Sequence, residues 1–517
     1  MTPSTHTLEL SPAGLKLEVA SGTQLQDVLF AQGVEFPCGG RGRCKGCRVK
    51  ILKGILPVGE EEKKLLTGAE LAGGWRLACR HAIAGDLKLE LAQWEMPILG
   101  DQSTFKFAPR EGLGVAIDLG TTTIAAQLLD LRNGNVLAVS TALNLQARHG
   151  GDIMSRVDFA LRGGQAELQR LVREQLGGMA SQLVSSRAKL CPTWDKVLYA
   201  GNDLNKIIIV GNTVMHHLFC GISVAPLAGH PFEPQQPGRF RFSARELGWN
   251  LPEKMVVEFL PCIGGFVGSD ILAGIVATGL HESRELVALM DLGTNGEVVV
   301  GNHERLLCTS TAAGPAFEGA RISMGMRAAT GAISEVRVQN GAVACRVIGG
   351  GAPRGLCGSG LVDAVAAGLE LKWIQSNGRM TLDGSMPLAG SVTLSAADVR
   401  ELQLAKGAIA TGLRMLATRF GATLDDIQQL HLAGAFGNYI SRASAQRIGL
   451  LRLPINRIVP AGNTALLGAK RALFEKAAAW DDIASRVEHI ALNEDAEFQD
   501  IYAGEMRFPE TANTNPG

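Results

Sequence analysis

Four cysteines have the spacing of iron–sulfur ligands. Three lie on one glycine-rich loop in a C-x5-C-x2-C pattern, and a fourth follows after 31 further residues; they are Cys38, Cys44, Cys47 and Cys79. Three thiolates on one loop and a fourth from a later segment can hold the two irons of a [2Fe–2S] cluster. A zinc knuckle is the alternative, but zinc sites usually carry two C-x2-C pairs or histidines. We therefore predict a [2Fe–2S] cluster.

Two apolar segments end in the same Asp-Leu-Gly-Thr turn. They read GVAIDLGTTT (114–123) and VALMDLGTNGE (287–297), and their aspartates stand 173 residues apart. Two such hairpins can face each other across a cleft, where backbone N–H groups and hydroxyls would contact phosphates. The predicted phosphate-contacting residues are Gly120, Thr121, Thr122, Thr123, Gly293, Thr294 and Asn295.

A third turn of small residues follows the apolar strand that begins at His431. Small side chains there would let a nucleoside lie against the backbone. The predicted nucleoside-lining residues are Gly434, Ala435, Phe436 and Gly437. The sequence contains no G-x-x-x-x-G-K-[ST] pattern, which excludes a P-loop as the phosphate-binding device.

Several carboxylates are candidates for work on a phosphate. Asp118 and Asp291 stand at the ends of the two apolar strands, where they could hold magnesium through water or position the attacking water. Glu297, Asp152 and Glu318 are further candidates for orienting that water, the alternative being ordinary capping or surface carboxylates. The adjacent histidines at 216 and 217 lie in an apolar run, so we interpret them as structural.

The elements that must position these residues fall into separate units. Alternating leucines between 8 and 19, a short helical pattern and the cysteine loop follow the order of a β-grasp ferredoxin. We predict a ferredoxin-type domain at 1–95, a linker at 96–112, a first ATPase lobe at 113–280, a second lobe at 281–504 and a flexible tail at 505–517.

Composition narrows the class of protein and its partners. The chain has 517 residues, with 50 basic and 50 acidic side chains, so its net charge is zero. This balance argues against nucleic acid or an anionic membrane as the main partner. The ten cysteines form no disulfide framework, since four have the cluster spacing and the other six are scattered. We expect a cytoplasmic protein because neither a signal peptide nor a bilayer-spanning stretch is visible.

The order of the three turns resembles the superfamily of acetate and sugar kinases, heat-shock chaperones and actin. The connecting segments, together with the cysteine module, resemble the reductive activators of corrinoid enzymes. They read NLQARHGGDIMSR (144–156), VGNTVMHHLFCG (210–221), PCIGGFVGSD (261–270), STAAGPAFEGARISMGMRA (310–328), GLCGSGLVD (355–363) and AGNTALLGA (461–469). The resemblance covers nearly the whole chain and implies an α+β multidomain fold: a β-grasp [2Fe–2S] ferredoxin followed by a two-lobed, actin-like ATPase of duplicated ribonuclease H-like architecture.

The resemblance also implies the activity. Members of that family use ATP and Mg²⁺ to return one electron to inactive cob(II)alamin on a corrinoid methyl-carrier protein, which gives cob(I)alamin. It implies an upstream low-potential electron donor as a second partner. Longer members carry a dimerisation module between ferredoxin and ATPase, whereas only 96–112 separates them here, so a homodimer stays an open alternative.

Other functions stay open beside this one. An ATP-driven electron donor for a different low-potential enzyme would share the ATPase fold, although such proteins lack an N-terminal ferredoxin. A small-molecule kinase with a sensory cluster would need an acceptor pocket, and the sequence displays none. A chaperone-like binding module would need a peptide-binding domain after the ATPase.

Overall fold

The structure is a computed structural model of the chain. It describes residues 4–11, 15–32, 34, 42, 45, 47–91, 105–190, 204–253, 255–293, 295–437 and 439–510. The predicted ligands Cys38 and Cys44 and the predicted phosphate contact Thr294 lie outside these residues.

The N-terminal unit is a five-stranded sheet covered by one helix. Its elements are β1 (Thr5–Ser11), β2 (Leu15–Ala20), α1 (Leu25–Ala31), β3 (Arg48–Lys53), α2 (Glu60–Leu65), α3 (Gly68–Ala72), β4 (Trp75–Leu77) and β5 (Leu87–Leu91). The strand order is β2-β1-β5-β3-β4. Leu25 and Leu29 of α1 are fully buried with the alternating leucines of β1 and β5, as the period of two in these strands requires. The expected ferredoxin-type order of elements is confirmed.

The middle unit is a six-stranded sheet with helices on both faces. It contains β6 (Leu113–Leu119), β7 (Thr123–Asp130), β8 (Val136–Leu143), α4 (Ile153–Phe159), α5 (Gln165–Leu190), β9 (Leu204–Gly211), α6 (Thr213–Cys220), β10 (Phe240–Ser243), β11 (Val256–Phe259) and α7 (Ser269–Thr278). The strand order is β10-β11-β9-β6-β7-β8, with β6 to β8 antiparallel and β9 parallel to β6.

The C-terminal unit repeats this arrangement and adds small sheets. Its first part holds β12 (Val287–Leu292), β13 (Gly296–Gly301), β14 (Leu306–Thr311), β15 (Ala332–Gln339), β16 (Ala342–Val347), β17 (Gly355–Leu356), α8 (Gly358–Glu370), β18 (Ser385–Ala389) and β19 (Val392–Ser395). Its second part holds α9 (Ala396–Phe420), β20 (Gln429–Ala433), α10 (Gly434–Gly437), α11 (Arg442–Arg447), β21 (Ile458–Gly462), α12 (Thr464–Ala472), α13 (Ala477–Arg486), β22 (Val487–His489) and α14 (Phe498–Glu505). The large sheet has the order β21-β20-β12-β13-β14-β22.

The two large sheets share one topology, which confirms the expected duplicated two-lobed fold. In each sheet an antiparallel hairpin, β6–β7 or β12–β13, is followed by a later strand parallel to its first member. Helices α7 and α12 lie against each other between the sheets, and a common apolar core joins Val210 and Ile271 of the first lobe to Leu289 and Ala469 of the second.

The ferredoxin-type domain contacts both lobes. Ala147, on a 3₁₀ turn after β8, is buried in the ferredoxin core, and Leu145 packs beside it. On the second lobe, Arg354 donates to the Glu90 carboxylate at 2.7 Å and lies over the ring of Trp75 at 5.6 Å. The domain is therefore held at two places, one on each lobe.

The predicted linker and tail both pack on the ATPase where they are described. Phe105 and Phe107 contact the ring of Phe474, with centroid distances of 5.5 and 4.4 Å. The assignment of 505–517 to a flexible tail does not hold for its first part. Phe508 is only 2% exposed in the core of the second lobe, and Lys406 donates to the Arg507 carbonyl at 2.6 Å. Among the described residues, no helix combines the length and the apolar character needed to span a bilayer.

Candidate functional site

The turn between β6 and β7 is shaped by side chains from three other elements. The Asn144 amide donates to the Gly120 carbonyl at 3.0 Å, and the Arg156 guanidinium donates to the Thr121 carbonyl. The Asn212 amide donates to the Thr121 hydroxyl at 2.9 Å. These hydrogen bonds fix the conformation of the turn and satisfy the carbonyls of Gly120 and Thr121.

The turn between β12 and β13 lies against the third predicted turn. The N–H of Gly293 donates to the carbonyl of Asn295 at 3.0 Å, which closes a tight loop. Gly434 has φ of +84°, and a Cβ there would lie 2.5 Å from Asp291 Oδ1. Only glycine fits this place, because both the positive φ and the contact exclude a side chain.

Four carboxylates from both lobes meet in the cleft. Burial raises the pKa of Asp118 to about 6. Burial, and then the charge of Asp118, raises the pKa of Asp291 to about 7. Burial, then the charges of Asp291 and Asp118, raises the pKa of Asp270 to about 8. Burial, then the charges of Asp270 and Asp291, raises the pKa of Glu297 well above its usual value. The cleft thus concentrates negative charge that a cation would stabilise.

Two members of this site were missed in the sequence. Asp270 lies in the first turn of α7, and Ser269 beside it ties that helix to β9 through hydrogen bonds with Gly211. Asn463 caps α12 and donates from its amide to Asp118 Oδ2 at 3.0 Å. Both residues stand in segments that the sequence had singled out, GSD and AGNT. In both segments, the feature that could have indicated a site residue was a polar side chain at the start of a helix, next to small residues.

Two of the candidate carboxylates and the two adjacent histidines belong to other structural elements. Asp152 caps α4 by accepting from the Ser155 N–H at 2.8 Å and the Ser155 hydroxyl at 2.6 Å, which is the structural alternative. Glu318 ends a 3₁₀ turn at Pro315–Glu318. His216 and His217 are fully buried on α6, and burial lowers their pKa values to about 3 and about 4, as expected of structural histidines.

The nucleoside turn stands between the second sheet and helix α8. The ring of Phe436 stacks on Phe317 with centroids 4.5 Å apart. A Cβ on Gly358, the first residue of α8, would lie 1.8 Å from the Phe317 carbonyl and 3.1 Å from the Phe436 ring. At Gly437, a Cβ would lie 3.2 Å from the Leu432 side chain, so the turn packs closely against β20.

The described part of the cysteine site brings two predicted ligands together. Cys47 and Cys79 are buried, and their Sγ atoms lie 3.4 Å apart although 31 residues separate them in the chain. Neither is part of a disulfide. Two thiols converging from separate segments fit the donor set of a [2Fe–2S] cluster, in which cysteines from a loop and from a later segment bind together.

Comparison with known proteins adds a family context. A family model described as the 2Fe-2S iron-sulfur cluster binding domain matches residues 8–84, the "RACo middle region" matches 113–283, and the "C-terminal domain of RACo the ASKHA domain" matches 285–516. The corrinoid activation enzyme RamQ of Eubacterium limosum is 34% identical over 424 residues, which cover 75% of this chain and 69% of that protein.

Two further proteins are similar over most of the chain. The [Co(II) methylated amine-specific corrinoid protein] reductase of Methanosarcina barkeri is 25% identical over 421 residues, which cover 76% of this chain and 77% of that protein. A solved structure of a reductive activator for corrinoid, iron-sulfur protein matches with a TM-score of 0.66 and 26% identity, covering 98% of this chain and 99% of that one.

Proposed function

The chain belongs to the family of ATP-dependent reductive activators of corrinoid proteins, and from this premise we propose how its residues carry out the activation. One observation carries the proposal. A single chain contains both the converging ferredoxin cysteines and a cleft where Asp118, Asp270, Asp291 and Glu297 meet. The reaction is the one-electron reduction of cob(II)alamin to cob(I)alamin on a corrinoid methyl-carrier protein, and ATP hydrolysis drives it.

The two hairpin turns hold the triphosphate from opposite lobes. Gly120 to Thr123 contact one side with N–H groups and hydroxyls, and Gly293 to Asn295 contact the other. Asp118 and Asp291 would hold Mg²⁺, and the ion would neutralise the charge that develops on the phosphates. Mg²⁺ usually keeps several waters and completes its shell with substrate phosphates.

The remaining two carboxylates position the attacking water. The pKa of Asp270 is raised to about 8 and that of Glu297 is raised well above its usual value, as expected of carboxyl groups that can hold a proton during catalysis. Ser310 donates to Glu297 at 3.3 Å and fixes the orientation of its carboxyl group. The Asn463 amide likewise donates to Asp118 and fixes the orientation of its carboxyl group. One carboxylate of each lobe is therefore fixed by a hydrogen bond from a neighbouring element.

ATP is needed because the reduction is unfavourable without it. A ferredoxin-type [2Fe–2S] cluster has a potential of about −400 mV or higher, and each ~60 mV uphill costs about 1.4 kcal/mol for one electron. Closure of the lobes around ATP can favour a docked state of the partner in which the cobalt potential is higher. The cluster, when bound, supplies one electron, and Cys38, Cys44, Cys47 and Cys79 hold it.

The partners follow from this chemistry. A corrinoid methyl-carrier protein accepts the electron, and an upstream low-potential donor replaces it. A homodimer stays a prediction. None of the cysteines that the structure describes is in a disulfide, which supports a reducing compartment such as the cytoplasm.

The test separates the electron path from the ATP path. The reduced protein is mixed with a cob(II)alamin-loaded carrier, ATP is added, and the cob(I)alamin absorbance is followed. We expect Cys47→Ser to remove the cluster spectrum and the reduction while ATP binding persists. Cys345→Ser, which changes a half-buried thiol on β16, is the matched control. If Cys47→Ser still supported ATP-dependent reduction, the proposed electron path through the cluster would be contradicted. Phosphoryl transfer to a sugar or carboxylate by the wild-type protein would favour the kinase alternative.

A further inference from the structure

The turn between β6 and β7 has bonded acceptors and unbonded donors. The carbonyls of Gly120 and Thr121 accept from the Asn144 amide and the Arg156 guanidinium, and the Thr122 carbonyl accepts from the Asn144 N–H at 2.9 Å. Among the hydrogen bonds of the described residues, none is donated by the N–H groups of Thr121 and Thr122. These two donors therefore remain for a ligand.

Arg156 of α4 is fully buried, and three hydrogen bonds fix its guanidinium. Its Nε donates to the Gly150 carbonyl at 2.9 Å, its Nη1 donates to Gln146 Oε1 at 3.3 Å, and its Nη2 donates to the Thr121 carbonyl. A planar guanidinium with several acceptors has one defined orientation. Its positive charge is therefore placed at the carbonyl side of the peptide group that joins Thr121 to Thr122.

This peptide group connects the buried charge to an unbonded donor. The Thr121 carbonyl and the Thr122 N–H belong to one planar amide, so a cation at the oxygen polarises the amide and makes the N–H a stronger donor. Desolvating a guanidinium is also costly, and the negative charge of a bound phosphate would offset that cost. Both effects favour an anion at the Thr122 N–H over a neutral ligand.

We propose that Arg156 is a positioning residue for ATP, which acts on the phosphates through the peptide group between Thr121 and Thr122. The inference rests on the proposed use of ATP in the cleft. It adds a residue outside the two Asp-Leu-Gly-Thr turns that sets the affinity of the first turn for phosphate. It also gives the segment NLQARHGGDIMSR a function, because its first and last residues, Asn144 and Arg156, both bond this turn.

The experiment separates affinity for the phosphates from affinity for the nucleoside. Binding of ATP and of adenosine to the full chain is measured by calorimetry in the presence of Mg²⁺. Arg156→Gln should weaken ATP binding roughly tenfold or more, as loss of one charged hydrogen-bond donor implies, and should leave adenosine binding within about twofold. Arg162→Gln is the matched control and should keep both affinities, because Arg162 is 74% exposed and pairs with Asp158 at the surface.

A second variant tests the charge itself. Arg156→Lys keeps the positive charge but loses the planar fork, so its affinity for ATP should lie between those of the wild-type protein and Arg156→Gln. Wild-type ATP affinity in Arg156→Gln would overturn the inference. Equal losses of ATP and adenosine binding in Arg156→Gln, or equal losses of ATP binding in Arg156→Lys and Arg156→Gln, would overturn it too. These outcomes would leave the proposed function intact, whereas a wild-type protein that does not bind ATP would contradict both.

Discussion

At the scale of single residues, the cleft is defined by carboxylates that repel one another. Asp118, Asp270 and Asp291 come from three different elements, and each has its pKa raised from 3.8 to between about 6 and about 8. Burial is the largest cause in each case. A folded protein that holds such groups without a cation favours their protonated forms, and a cation reverses that preference.

This arrangement predicts an unusual pH dependence of stability. In the unfolded chain these aspartates titrate near 4, whereas in the folded protein they bind protons up to about pH 8. Stability from these groups is therefore fully present at low pH and is lost as pH rises from about 4 to about 8. We expect the melting temperature of the nucleotide-free protein to fall between pH 5.5 and 8, measured by calorimetry.

Two controls test the origin of that decline. Mg²⁺ with ATP should reduce the slope, because the cation offsets the carboxylate charges. Asp291→Asn should also flatten it, since one of the interacting charges is gone. If the melting temperature of Asp291→Asn falls with pH as steeply as that of the wild-type protein, the cleft carboxylates do not cause the decline.

At the scale of elements, α12 joins the two lobes at the site. It begins at the cap Asn463, whose Oδ1 accepts from the Leu466 N–H at 2.8 Å while its Nδ2 donates to Asp118. Gly468 lets α12 approach α7, because a Cβ there would lie 2.4 Å from the Ala273 carbonyl. One side chain therefore links the start of a C-terminal-lobe helix to a carboxylate of the first lobe.

The two roles of Asn463 can be separated by substitution. Asn463→Ser keeps a capping hydroxyl but is too short to reach Asp118, whereas Asn463→Ala removes both interactions. We expect Asn463→Ala alone to lose the capping energy of about 1 kcal/mol, seen as a lower melting temperature. Both variants should lower the ATPase rate, because Asp118 loses its donor and its pKa rises further. A normal ATPase rate in Asn463→Ser would mean that the amide contributes only as a cap.

The sequence predicted the elements with repeating patterns and missed those that depend on distant packing. The β6–β7 and β12–β13 hairpins were predicted because apolar runs ended in identical turns. Asp270 was missed as a site residue because its neighbours in space come from strands about 20 and 150 residues away, and a polar residue at a helix start does not show that these strands converge on it. Packing of Phe508 was missed for the same reason: its partners lie on α9 and near Ser376, and composition alone indicated a frayed end.

At the scale of the whole molecule, the ferredoxin-type domain contacts both lobes of the cleft. The Asn144 amide donates to the Gly120 carbonyl of the turn between β6 and β7, and the nearby Leu145 and Ala147 pack in the ferredoxin core. The second attachment is Arg354 on the C-terminal lobe. We therefore expect a change in the angle between the lobes to disturb one of these two attachments. In this way the nucleotide bound in the cleft would affect the position of the ferredoxin-type domain.

Removing the second attachment should uncouple the two events. Arg354→Ala eliminates the ion pair with Glu90 and the contact with Trp75, which together contribute about 1–2 kcal/mol. We expect the cluster spectrum and the ATPase rate to stay normal while ATP-driven cob(II)alamin reduction falls about 5–30-fold. Arg305→Ala is the matched control, because its ion pair with Glu488 at 3.0 Å lies within the C-terminal lobe. Equal reduction rates in Arg354→Ala and Arg305→Ala would mean that the ferredoxin works from its first-lobe attachment alone.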